Sequence, residues 1–172
     1  LICATALCLL MNASCNNNQQ LGEVLFQSLN SNRTGINFSN QITPTPQFNL
    51  FSYMYYYNGA GAAAGDFNND GLIDLFFTVN QGNNQLYLNK GNLQFEDVTT
   101  AATIPQDKGW NTGASVVDIN NDGLLDIYVC KSGNPKGENR SNELFINNGD
   151  LTFSEKAAEY GIADLGLSNH AS

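Results

Sequence analysis

The chain has 172 residues, 42% of them hydrophobic and only 13% charged, with a net charge of −9. That length and hydrophobicity suit one domain with a real core and exclude a disordered chain. The acidity, with no basic run in the sequence, argues against a nucleic-acid partner. It is also concentrated: six of the sixteen acidic residues fall in two short loops, and the rest leave ten acidic against seven basic side chains.

Leu1–Ser14 (LICATALCLLMNAS) is an apolar stretch of signal-peptide length, too short to span a bilayer as a helix. No Met and no positive n-region precede it, so residues 1–15 read as a signal peptide cut at its start. Cys15 follows Ala13 and Ser14 and leads into Asn16-Asn17-Asn18-Gln19-Gln20. This resembles a bacterial lipoprotein signal, in which the Cys after the cleavage site is lipidated. Asn12 departs from it, standing where that signal usually has an apolar residue, and an ordinary secretory signal is the alternative. The expected location is the cell surface or outer membrane, anchored through Cys15, and otherwise secreted or periplasmic. Cys3 and Cys8 lie in the leader, so only Cys130 remains in the body of the chain and no internal disulfide can form there. Cys130 ends the apolar run Ile127-Tyr128-Val129 and reads as a buried strand residue.

Residues 16–52 are expected to be a linker and lead-in. Tyr53, Tyr55, Tyr56 and Tyr57 follow as an aromatic cluster. A carbohydrate-stacking surface is conceivable, but a strand packed on the next unit is the favoured reading. Trp110 reads the same way, as a core or edge residue.

Residues 53–172 contain an internal repeat. Gly61–Phe76 (GAAAGDFNNDGLIDLF) matches Gly113–Tyr128 (GASVVDINNDGLLDIY) at an offset of 52. Asn84–Phe95 matches Asn142–Phe153 at an offset of 58, with the extra residues in the polar loop around Ser132–Ser141. The copies span about 59–104 and 111–162. Each predicts a small-residue strand, an Asp-rich loop, an apolar strand (Leu75–Val79, Ile127–Cys130) and a hairpin. The hairpin strands are Gln85–Asn89 with Leu93–Val98, and Glu143–Asn147 with Leu151–Glu155, joined by tight turns at Lys90-Gly91 and Asn148-Gly149. Short helical turns are expected at Ala157–Tyr160 and Thr99–Thr103. The fold class is therefore all-β, with about four antiparallel strands per repeat, the content of one β-propeller blade. Leu167–Ser172 aligns with the start of the second copy and is expected to begin a third.

The two loops point to calcium. Asp66, Asn68 and Asp70 place oxygens on alternate positions, Gly71 permits the sharp turn, the Leu72 carbonyl follows, and Asp74 closes at position nine. Asp118, Asn120, Asp122, the Leu124 carbonyl and Asp126 repeat the set around Gly123. Three carboxylates confined to one loop repel each other unless a cation sits among them. Neither loop has Cys or His, which argues against zinc and copper, and magnesium prefers a tighter octahedron. Two calcium ions are expected, one per loop. An EF-hand is excluded, because its position twelve would be Phe77 or Val129, each in a β-like run, rather than a bidentate Glu. The same positions lack the second Asp of a dockerin repeat. Asn-Asp-Gly also makes plain turns, but two loops keeping Asp at position nine within a larger repeat favour the cation.

The pieces Gly59–Asp74 with Gln85–Phe95, and Gly113–Asp126 with Glu143–Phe153, resemble the FG-GAP/VCBS repeat family, whose blades are similar to those of the integrin α-subunit β-propeller. The Asn-x-Leu-[Tyr/Phe]-[Leu/Ile]-Asn-x-Gly hairpin looks like the branch found in secreted bacterial proteins that also carry an ASPIC/UnbV domain. The resemblance implies calcium held in the loop between two strands of a blade, and seven blades in many relatives. It leads to the expectation of an exported, calcium-stabilised surface module that binds a protein or glycan and touches the membrane only through a lipid anchor. No nucleophile elbow, zinc-protease motif or phosphate loop is present, so no catalytic residue is expected. A role in a polysaccharide-acting enzyme and a role as a structural spacer are the alternatives.

Overall fold

The structure is a computed structural model that describes residues 26–105, 109–133 and 139–171. Leu1–Ser14, Cys15 and the leader reading lie outside the described residues. Among the described residues, no helix is long and apolar enough to cross a membrane.

The described residues form a single-turn helix α1 (Ser31–Thr34) and eight strands. Strands β1 (Ala62–Gly65), β2 (Asp74–Phe77), β3 (Gln85–Asn89) and β4 (Phe95–Asp97) make one antiparallel sheet in sequence order. Strands β5 (Asn111–Val117), β6 (Asp126–Lys131), β7 (Glu143–Asn147) and β8 (Phe153–Glu155) make the second in the same order. Two four-stranded meanders with almost no helix agree with the all-β, blade-like reading.

The sheets stack face to face around one core that contains Phe67, Phe76 and Leu86 from the first and Ile127, Val129, Phe145 and Phe153 from the second. The Phe76 and Phe145 rings meet edge to face at 6.3 Å, as do Phe67 and Phe153 at 6.1 Å. The first strands of the two sheets approach most closely. A Cβ on Gly61 would lie 2.7 Å from the Gly113 Cα, so the glycines just before β1 and within β5 are what allow the contact.

Buried asparagines tie one sheet to the next. Asn84 Oδ1 accepts from the Val79 N–H at 3.1 Å and from Asn111 Nδ2 at 2.9 Å. Asn142 holds the equivalent place: its Oδ1 accepts from the Lys131 N–H, and its Nδ2 donates to Ser168 Oγ. Residues 167–171 therefore lie against β5 much as β5 lies against β1. The Ser168 N–H donates to Lys131 O just as the Asn111 N–H donates to Val79 O, and the Ser115 hydroxyl donates to Ala171 O.

Several local expectations need correction. Leu93 and Leu151 are not strand residues. They sit in left-handed turns at φ 60° and 68°, so β4 and β8 begin two residues later and the hairpin loops are longer than two residues. Those loops close with Lys90 N–H to Gln94 O and Asn148 N–H to Thr152 O. The apolar run Leu75–Val79 is strand only to Phe77: the Gly61 N–H donates to the Thr78 hydroxyl, and the Val79 N–H donates to Asn84 Oδ1. Tyr53–Tyr57 form turns rather than a strand. Tyr56 is fully buried beside Trp110 at 5.0 Å, and Phe48 meets both rings. Cys130 is buried, and burial is the main cause of its thiol pKa being raised.

Gly61→Ala forces two backbones apart and is expected to destabilise the chain by about 1–3 kcal/mol in chemical denaturation.

Candidate metal-binding loops

Each Asp-rich loop joins the first and second strands of its sheet. Two residues of each loop adopt the left-handed conformation that Asn and Gly tolerate best: Asn69 (φ 56°) and Gly71 (φ 85°), and Asn121 (φ 59°) and Gly123 (φ 84°). The chain thus curls around the first Asp. Asp66 Oδ1 accepts from the Asp70 N–H at 3.1 Å, and Oδ2 from the Gly71 N–H at 2.8 Å. Asn68 Oδ1 also accepts from the Asp70 N–H, and Asp70 Oδ1 accepts from the Leu72 N–H. Asp118, Asn120, Asp122 and Leu124 repeat these bonds one for one.

The ninth position behaves differently. Asp74 and Asp126 are fully buried at the start of β2 and β6. Asp74 Oδ2 accepts from the Phe67 N–H at 2.9 Å and Oδ1 from the Asn89 N–H at 2.8 Å. Asp126 accepts from the Ile119 and Asn147 N–H groups at 3.1 and 2.9 Å. Each carboxylate therefore pins the loop's second residue to the end of the third strand. Burial pushes the pKa of both groups up, their backbone hydrogen bonds oppose it, and the two other loop carboxylates add to the rise.

The sequence reading singled out the oxygen donors but missed the asparagines around them. Asn89 Nδ2 donates to Ile73 O, and Asn147 Nδ2 donates both to Leu125 O and, across the sheets, to Phe67 O at 2.8 Å. Asn69 Nδ2 reaches Gly123 O at 3.4 Å, linking the two loops. Their signal was the repeat itself, since Asn69, Asn84 and Asn89 recur as Asn121, Asn142 and Asn147.

The donor set fits a hard cation, being oxygen throughout. Among the described residues, no three His, Cys, Asp or Glu side chains form a metal-ligand cluster by themselves. Calcium also draws on amide and backbone oxygens, which the Asn68 and Asn120 side chains and the Leu72 and Leu124 carbonyls add to the loop acids. The described ion pairs Lys90–Glu96, Lys131–Glu143 and Lys156–Glu159 all lie outside the loops.

Comparison with known proteins adds a family and a relative. Residues 66–129, which span both loops, match the FG-GAP-like repeat family. The chain is also 30% identical over 104 residues to cartilage acidic protein 1 of Xenopus tropicalis. The match covers 60% of this chain and 16% of that protein, so the chain spans a small part of its relative's length.

Asp74→Ala leaves the Phe67 and Asn89 amides without their acceptor. It is expected to destabilise the chain by about 2–4 kcal/mol in urea unfolding with chelator present, where no metal contributes.

Proposed function

We propose that the chain is part of an exported β-propeller protein whose blade loops hold structural calcium and whose surface binds a protein or glycan. The observation that carries the calcium reading is the repeated loop. Two copies, 52 residues apart, share the same hydrogen bonds, the same left-handed positions and the same buried ninth Asp. Asp66, Asn68, Asp70, the Leu72 carbonyl and Asp74 would hold one ion. Asp118, Asn120, Asp122, the Leu124 carbonyl and Asp126 would hold the other. Bound calcium supplies charge neutralisation: two divalent ions bring the net charge from −9 to −5. Its effect is to fix the turn between the first two strands, with no chemical step.

Export is supported by the leader-like Leu1–Ser14, and the similar protein is named for cartilage. Anchoring through a lipid on Cys15 is the membrane reading. A binding role is favoured over catalysis because the acidic side chains of the loops are committed to backbone amides and to the cation. An enzyme-accessory role and a spacer role are separated from it by glycan-array and pull-down screens, in which a spacer captures nothing specific.

Calorimetric titration is expected to show two calcium sites with dissociation constants on the order of 10⁻⁴–10⁻³ M. At tenfold excess over such a constant, each site adds about 1.4 kcal/mol of stability. Asp66→Ala with Asp70→Ala is expected to leave one site. No binding heat and an EDTA-insensitive melting temperature would rule the calcium reading out.

A further inference from the structure

Each Asp loop lies at one end of its strands, and a groove lies at the other end. In the first sheet it is formed by the start of β3, the end of β4 and the turn that follows, and measures about 600 Å³. Asn83, Asn84 and Gln85 line it from the first segment, and Asp97, Thr100 and Thr103 from the others. The second sheet has a groove at the matching place, lined by Ser141, Asn142, Glu143, Glu155 and Ala158, but of only about 190 Å³.

One lining residue does the same work in both copies. Asn84 Oδ1 accepts from the Val79 N–H, and Asn142 Oδ1 from the Lys131 N–H. The others differ. Lys131 stands where the first copy has Val79, and its ammonium meets Glu143 at 2.8 Å, where the first copy has Gln85. Lys131 and Glu143 both line the second groove, and Val79 with Gln85 can form no such pair in the first. The turn after the fourth strand closes without the hydroxyls of Thr100 and Thr103, since Ala158 and Gly161 replace them in the second copy.

The carboxylates differ too. Glu155 Oε1 alone accepts from the Leu144 and Ala157 N–H groups. In the first copy Asp97 Oδ1 accepts from the Thr99 N–H and hydroxyl, and Thr99 Oγ1 accepts from the Leu86 N–H. The shorter acid thus needs the threonine as a bridge, and Asp97 Oδ2 stays outside these bonds.

What remains in the first groove is a set of neutral donors beside one carboxylate. Asn84 is 2% exposed; its Oδ1 accepts twice, and among the described residues its Nδ2 has no acceptor. Gln85 Oε1 accepts from the Tyr87 hydroxyl, which leaves Nε2. The exposed Asn83 amide and Thr100 hydroxyl each add a donor and an acceptor. Among the described residues Asp97 is the only charged side chain in the lining, so the groove repels anions. Ile104 is its only aliphatic side chain, too little for an apolar peptide. Amide donors beside hydroxyl and carboxylate acceptors suit a ligand of adjacent hydroxyls, each both donor and acceptor.

We propose that this groove binds a short neutral saccharide, the Asn84 and Gln85 amides donating to its oxygens and Asp97 accepting from its hydroxyls. Its volume falls within the roughly 300–1,000 Å³ of small-molecule sites. A ligand lacking those hydroxyls leaves a buried amide unpaired and is rejected. The proposal rests on the role of binding a protein or glycan and names the glycan; it does not rest on calcium.

The test titrates the isotope-labelled 172-residue chain with maltose, cellobiose, lactose, mannobiose and diacetylchitobiose, followed by amide NMR. At least one is expected to give saturable shifts at Asn83–Gln85 and Thr99–Thr103, and glucuronic acid none. Asn83→Ala with Thr100→Ala trims two exposed side chains and is expected to weaken binding about tenfold with the β1–β8 signals in place. Val79→Lys with Gln85→Glu brings in the second copy's ion pair and is expected to abolish the shifts. An ordered spectrum with no saturable change at the groove for any of these sugars, or binding unchanged in both variants, overturns the proposal. Specific capture of a protein in a pull-down without sugar binding overturns the glycan while the binding role stands, and absence of both overturns the two together.

Discussion

A buried carboxylate at the ninth loop position is the constraint on which the rest of the structure depends. Asp74 and Asp126 are fully buried, and both oxygens of each accept backbone N–H groups. One bond goes back to the loop's second residue and the other goes across to the end of the third strand. A single side chain thus fixes the loop, the second strand and the hairpin relative to one another. A buried charge is costly without such partners, which is why its pKa rises despite them. The other loop acids lie close enough to raise it further, and a divalent cation among them would relieve the repulsion.

The second constraint is stacking. Each sheet is apolar on both faces, so neither is stable alone. Phe76 of the first sheet lies in the core shared with the second, while Phe38 covers Phe77 on the opposite face. The far face of the second sheet keeps a shallow cavity of about 450 Å³ lined by Val116, Val117, Ile119, Tyr128 and Ile162. The counterparts of three of these in the first sheet, Phe67, Phe76 and Ile104, are 1%, 0% and 3% exposed. The repeat therefore carries a built-in rule for where a neighbour sits, written in glycine at the first strand and asparagine at the third.

Much of this was legible in the sequence. The loops, the meander and the hairpins followed from the two offsets, because the same residues recur wherever the same contact is made. The misses have physical causes. Leu93 and Leu151 look like strand residues by alternation, yet they sit in left-handed turns, a conformation that a leucine does not advertise. The tyrosines at 53–57 have high strand propensity, but the pull of Trp110 and Phe48 folds them into turns. The asparagine ties were invisible as chemistry because an amide reads as polar filler until its partners are known.

Amide hydrogen exchange with and without calcium tests the central claim most directly. The Phe67, Asn89, Ile119 and Asn147 amides, all held by the ninth-position carboxylates, are predicted to be well protected in EDTA and to slow further in both loops when calcium is added. Exchange at those four amides as fast as in exposed turns, unchanged by calcium, would contradict the account.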